Sequence, residues 1–391
     1  MLLETLSLKE SKQFIQGLTL LSDKELVKGK TIIFFDEIQE FKEIATKLKF
    51  LVQEGSFKYI LSGSLLGVEL RNIKSAPVGS LTTIEMFPMD FYEYIKALNI
   101  KDNTLTFLKD CCMKYTLIPS FMHEKMLDAF RSYLLVGGMP EAVYSFITEG
   151  DYNKVSKIHN KIIEQYKLDF TKYEEQQKLK LLKIYELIPS ELSSKNKRFI
   201  FKNIDENFKF ERYENSFNWH IHAGVAIPVY NITEPRLPLK MNEKSALFKF
   251  FLSDVGLLST LYGKATQLAI LNDNKSLNCG AIYENFVAQE LRSHGFEIYY
   301  FNNHKQGEID FVIEFKGKVL PIEVKSGKDY QRHSALDNVL KNHDYNVENV
   351  IVLSNSNISI NEKIIYLPIY CSMFIQDDTV VNLNKIDLSS L

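Results

Sequence analysis

The chain has 391 residues, 45% hydrophobic and 25% charged, with 47 basic against 49 acidic side chains and a formal net charge of −2. This is the composition of a soluble globular protein of about two to three domains; it excludes a disordered chain or a global basic field, so any nucleic-acid surface is local. No apolar run approaches the ~18–20 residues of a membrane span. The opening MLLETLSLKE is too polar for a signal peptide, and four cysteines without metal-ligand spacing read as reduced thiols of a cytoplasmic chain.

In chain order, TIIFFDEIQE (31–40) reads as a buried strand ending in Asp36 and Glu37. FKEIATKLKFLVQEG reads as a helix, and YILSGSLLG as a second strand ending in Ser62-Gly63-Ser64. A strand running into two carboxylates resembles a Walker B motif. That resemblance gives Asp36 the role of orienting Mg²⁺ and Glu37 that of polarising the attacking water. Ser62 or Ser64 would contact the γ-phosphate of ATP. The ordered set DEIQE, SGSLLG, PVG and EMFPMDFYEYI resembles a bacterial and archaeal family of AAA-type ATPases. There the ATPase module is followed by a winged-helix-like region and a restriction-endonuclease-like domain.

The sequence departs from that family in two respects. It carries no GxxxxGK[ST] loop. Gly29-Lys30-Thr31 has Lys24 where the first glycine belongs and leads into a strand, whereas a P-loop opens a helix whose amides cradle phosphate. The family's arginine near the end of the module is not evident either, since Arg71 is the sole arginine before Arg131. ATP binding is therefore expected to be impaired. The chain reads as a truncated product, a mis-called start or a degenerate paralogue. An exposed sheet edge would invite a homo-oligomer or a missing N-terminal segment as partner.

Residues 105–175 have helical spacing broken by Gly137-Gly138-Met139-Pro140, a turn between helices. Residues 178–232 are expected to form a winged helix: a helix to about Ser193, a basic connection, a second helix ending at Gly224, and a strand. Lys195, Lys197, Arg198, Lys202, Lys209 and Arg212 make a local basic patch, offset by Asp205, Glu206 and Glu211. It serves either DNA phosphates or protein contacts. Trp219 reads as core, and His220 and His222 lack a third metal ligand. ALFKFFLSDVGLLSTLYG (246–263) joins this region to the last domain as a short strand and a helix.

GAIYENFVAQELRSHG reads as a helix with an apolar stripe of Ile282, Phe286, Val287 and Leu291, carrying Glu284 and Glu290. IDFVIEF and VLPIEVK read as two strands around a KGK turn. Glu323 and Lys325, two apart, share a face, and Asp310 lies at a height where it could meet Glu323. Carboxylates plus an ammonium on one face suit a hydrolytic Mg²⁺ site. The helix glutamate, strand aspartate and Glu-X-Lys resemble the PD-(D/E)XK, restriction-endonuclease-like fold. That resemblance makes Asp310 and Glu323 metal ligands, Lys325 the residue that positions water, and Glu284 a supporting ligand. Such a domain is either a nuclease or a degenerate nucleic-acid-binding or scaffolding unit. The expected fold class is α/β: a truncated P-loop-type ATPase core (1–95), a helical region with a winged helix (96–240, winged helix 178–232) and a restriction-endonuclease-like α/β/α domain (241–391).

Overall fold

Helices and strands alternate in a small α/β unit, and a longer mixed sheet follows. The fold comes from a computed structural model, which describes residues 11–38, 42–63, 82–171, 175–205, 209–274, 279–327 and 329–377. The chain divides into two units, one of residues 1–86 with 218–225 and one of residues 87–217 with 226–391.

In the first unit, β1 (Ile32–Phe35) and β2 (Lys58–Leu61) pair in parallel, Ile32 opposite Lys58 and Phe35 opposite Leu61. The helix Lys42–Glu54 makes the crossover that parallel pairing requires. Phe14 from the helix Ser11–Leu21 packs with Phe35, Ile38 and Leu51 in the core of this unit. The alternate strand residues Ile32, Phe34 and Ile60 are exposed.

The second unit is helical over its first part, with helices Phe91–Ala97, Asp102–Lys114, Ser120–Val136, Pro140–Glu149, Tyr152–Phe170 and Glu175–Ser193. The Gly-Gly-x-Pro segment is a turn, and its two glycines are needed for close approach rather than for flexibility. A Cβ on Gly137, at φ +65°, would lie 2.2 Å from Asp254 Oδ1; one on Gly138 would lie 2.0 Å from the Met89 carbonyl oxygen. Asp254 accepts from the Gly138 amide at 2.6 Å and caps the helix Val255–Tyr262 through the Leu257 amide at 2.9 Å.

Among the described residues the sheet has eight strands, in the order β4-β3-β5-β6-β7-β8-β10-β9. They are β3 (Ala226–Ile232), β4 (Glu243–Leu252), β5 (Tyr299–Asn303), β6 (Gly307–Phe315), β7 (Lys318–Val324), β8 (Val350–Ser354), β9 (Ser359–Asn361) and β10 (Ile364–Pro368). β5, β6 and β7 form an antiparallel meander, and β8 returns parallel to β7. The β6–β7 hairpin closes on Lys316 and Gly317, both at positive φ (52° and 72°), which matches the right-handed twist of the strands. The protein is thus a mixed α/β structure.

Two expectations are corrected here. The strand read as a wing is β3, which pairs with β4 and β5 inside the large sheet. The segment 178–232 therefore does not close on itself as a helix–turn–helix with its own wing, and the sheet draws on both sides of the boundary expected at 240/241. The reason lies in AIPVYNI: all but two of its residues are buried, as an interior strand demands, whereas a wing alternates between core and solvent. The four cysteines are also not all free thiols. Cys112 and Cys371 are joined as a disulfide, with Cα atoms 6.4 Å apart, because the helix Asp102–Lys114 packs on the 3-10 turn Ile369–Phe374. Cys111 and Cys279 are free. No described helix is long and apolar enough to cross a membrane.

Candidate functional site

The residues singled out in the C-terminal stretch converge. Glu284 lies on the helix Gly280–Ser293, which is buried from Ala281 to Leu291 rather than along one stripe. Its other polar residues are consumed by neighbouring main chain. Asn285 accepts from the Leu252 amide at 2.8 Å, Gln289 from the Val255 amide at 2.9 Å, and Glu290 from the Phe91 amide at 2.7 Å. Glu290, the second glutamate of this helix, thus faces away to a different task. Burial, with Asp90 nearby, holds its carboxyl well above the usual carboxylate range.

Asp310 sits at an irregularity in β6. Between the pairs Tyr299–Val312 and Phe301–Ile309, β5 advances two residues and β6 three, so β6 carries a bulge at Asp310–Phe311. The bulge lets both Ile309 and Val312 enter one apolar core and re-aims the Asp310 carboxylate. Asp310 Oδ2 accepts from the Val324 amide on β7 at 2.9 Å, which locks the carboxylate to the Glu-X-Lys strand. Lys325 Nζ donates to Glu323 Oε1 at 2.6 Å.

The sequence reading missed the centre of this group. Lys249, on β4, is fully buried, and its ammonium bonds Glu308 Oε1 at 2.7 Å. It also stands 3.5 Å from Glu284 Oε2 and 3.6 Å from Asp310 Oδ1. Its signal was present in FKFFL: a lysine among buried phenylalanines must have a charged partner, because an unpaired ammonium is not tolerated there. Lys197 reaches the same group and ion-pairs with Glu284 Oε1. The backbone places it, since Arg198 bridges to Lys249 and the Phe199 amide bonds the Phe248 carbonyl at 3.0 Å.

The cluster therefore holds four carboxylates (Glu284, Glu308, Asp310, Glu323) and three ammoniums (Lys197, Lys249, Lys325). Burial raises the Glu323 carboxyl to about 8, and the Asp310 charge adds to this against the pull of Lys325. Burial and Asp310 likewise raise Glu284 against Lys249 and Lys197. Asp310 goes the other way: burial opposes ionisation, but Lys249, Lys197 and the Val324 amide hold it below the usual range. Burial works against the Lys249 ammonium, and its carboxylates outweigh it and raise its pKa.

As metal ligands, Asp310 and Glu323 fit poorly. Three of their four oxygens face the Val324 amide, Lys249 or Lys325. Among the described residues no three His, Cys, Asp or Glu side chains gather at a spacing that could hold a metal ion.

The basic residues of the connection divide. Lys195, Arg198, Lys202, Lys209 and Arg212 are exposed, whereas Lys197 is spent on Glu284. In the first unit, Ser62 Oγ donates to Asp36 Oδ1 across the ends of β2 and β1, and the Ile38 amide bonds the Ser62 carbonyl at 3.0 Å. Asp36 and Glu37 are exposed, Glu37 at φ 50°. Ser64 lies outside the described residues.

Residues 2–95 match the family model of an AAA domain, which supports a likeness of this segment to P-loop ATPases of the AAA type. Residues 127–268 and 279–372 match models of two domains of unknown function, DUF8612 and DUF4143. Lys197 and Lys249 fall in the first of these and the other five cluster residues in the second. No curated protein and no solved structure matches the chain.

Proposed function

We propose that this chain is an AAA-type ATPase-family protein that associates with duplex DNA through a restriction-endonuclease-like C-terminal domain. The order helix 280–293, meander β5-β6-β7, helix 334–341 and parallel β8 supports the nuclease-like reading, as does the meeting of Glu284, Asp310, Glu323 and Lys325. The AAA match and the Asp36–Ser62 hydrogen bond at adjacent strand ends support the ATPase-family reading.

The observation that carries the DNA reading is the ion pair of Lys197 with Glu284. It anchors the cationic connection beside the motif residues. The exposed Lys195, Arg198 and Lys202, its neighbours, are then available for phosphates on either side of a strand drawn to the cluster. Fluorescence anisotropy with a labelled duplex tests this. Replacing Lys195, Arg198 and Lys202 together by alanine is expected to flatten the log–log salt dependence by about 3, near one unit per phosphate contact. An unchanged slope assigns the connection to protein contacts.

A further inference from the structure

The nuclease-like fold implies a divalent metal between Asp310 and Glu323, and the donor set of this chain disagrees. We infer that Lys249 is the built-in counter-cation of the carboxylate cluster, so that the domain engages duplex DNA without a divalent metal and without cutting it. The inference rests on the nuclease-like, DNA-associated reading above and gives that site its mode of action.

Three features carry it. The first is position: the Lys249 ammonium lies within 3.6 Å of carboxylate oxygens from the helix glutamate, Glu308 and the strand aspartate, where a shared cation would sit. The second is burial: Lys249 is 0% exposed, its ammonium 5.2 Å from the Tyr300 ring centroid, and a divalent ion would have to share a buried space with it. Two cations held that close in a low dielectric repel strongly. The third is the remaining oxygen supply. Glu323 Oε1 is taken by the Lys325 ammonium, and Glu323 Oε2 is buried with no hydrogen-bond partner among the described residues. One unpaired oxygen beside an ammonium is a poor start for the near-octahedral oxygen shell of Mg²⁺.

Three ammoniums stand among the four carboxylates, and each carboxylate has an ammonium within 3.6 Å, so the cluster pairs its charge internally. Little unpaired negative charge is left to draw in a metal, or to repel a DNA strand from the exposed Lys195, Arg198, Lys202, Lys209 and Arg212. Phosphate binding there needs no metal to screen the carboxylates.

The experiment has a metal arm and a DNA arm, both on the full chain. In the metal arm, thermal unfolding is followed with MnCl₂ and MgCl₂ for the wild-type protein and Lys249→Met. The wild-type Tm is expected not to move. The variant, its carboxylates uncompensated, is expected to melt lower and to recover several degrees with Mn²⁺. A metal-dependent rise in the wild type that Asp310→Asn abolishes overturns the inference. Should Lys249→Met fail to fold, calorimetric titration of the wild-type protein with Mn²⁺ decides: no heat of binding supports the inference, and heat that Asp310→Asn removes overturns it. In the DNA arm, duplex affinity is expected to be equal in EDTA and in Mg²⁺, with no plasmid nicking. Binding that requires Mg²⁺, or nicking, overturns the inference while leaving the DNA reading intact. Absence of duplex binding under both conditions sinks the DNA reading instead, and with it the metal-free mode of binding.

Discussion

The strand-end carboxylates at Asp36 and those around Glu323 carry the same signal in sequence, an apolar strand running into acid, yet they end in opposite environments. Asp36 is exposed and shares a hydrogen bond with a serine; among the described residues its sheet has two strands, with Phe35 in the core and Ile32, Phe34 and Ile60 exposed. Asp310 and Glu323 are buried in a sheet that has eight strands among the described residues, packed by the buried helix Gly280–Ser293, and lysines pair with their carboxylates. The difference teaches that the depth of the sheet, not the motif, decides what a carboxylate can do. At the surface it stays open to an incoming cation. In the interior it is folded together with its own, because an uncompensated buried charge is too costly to keep.

The largest effect that tests this contrast is on stability. Lys249→Met removes the ammonium and strands Glu308, Glu284 and Asp310, and breaking a buried ion pair by deleting one partner costs about 3–5 kcal/mol. Urea denaturation is expected to show a loss of that order, whereas Asp36→Asn leaves the midpoint where it was. A loss below about 1 kcal/mol for Lys249→Met is the size of an exposed pair, and it would show that the cluster is solvated and the contrast mistaken.

Much of the second region was legible and its centre was not. The Lys-Gly-Lys turn, the period-two alternation that puts Glu323 and Lys325 on one face, and the helix bearing Glu284 are local properties that residue type dictates. The bulge at Asp310–Phe311 is not local; it appears only when β6 is paired with β5. Lys249 is brought in by β4, which reaches β5 only through β3. The carboxylate that anchors Lys197 lies on a distant helix, so the basic run 195–202 read as one uniform patch when one member is spent on Glu284. Strand β3 was misread because helix, basic loop, helix and strand follow in the order of a winged helix. Its near-continuous burial becomes visible only with the sheet around it.

A smaller effect, in pH dependence, sharpens the same contrast. Burial moves the Glu323 carboxyl from an ordinary 4.5 to about 8, so the folded state holds this proton more tightly than the unfolded chain. The stability it confers is full below about pH 4.5 and is lost as pH rises through about 8, at up to about 1.4 kcal/mol per pH unit for one proton. Glu284, also raised, acts in the same sense, while Asp310, held low, loses its contribution only as pH falls below the ordinary carboxylate range. Between pH 5 and 8 the wild-type urea midpoint is therefore expected to fall, and Glu323→Gln, neutral throughout, to fall less. Parallel profiles for the two proteins would mean that Glu323 is ionised in the folded state and that a charge remains to be compensated.

The smallest expected effect belongs to the open site. Asp36 and Ser62 offer a carboxylate and a hydroxyl at the ends of parallel strands, a geometry that can orient a hydrated Mg²⁺ but supplies few of the contacts that hold a triphosphate. Most of that affinity comes from backbone amides at a helix N-terminus and a lysine on the phosphates, and the sequence carries no GxxxxGK[ST] loop to provide them. Titration calorimetry with Mg·ATP is expected to return a Kd of about 1 mM or weaker, that is, no more than about 4 kcal/mol of binding free energy. The AAA match makes this a demanding expectation. A micromolar Kd lost in Asp36→Asn would place a working nucleotide site on the exposed strand ends. The surface carboxylate would then be the functional one of the two regions, with its phosphate cradle built from residues other than a P-loop.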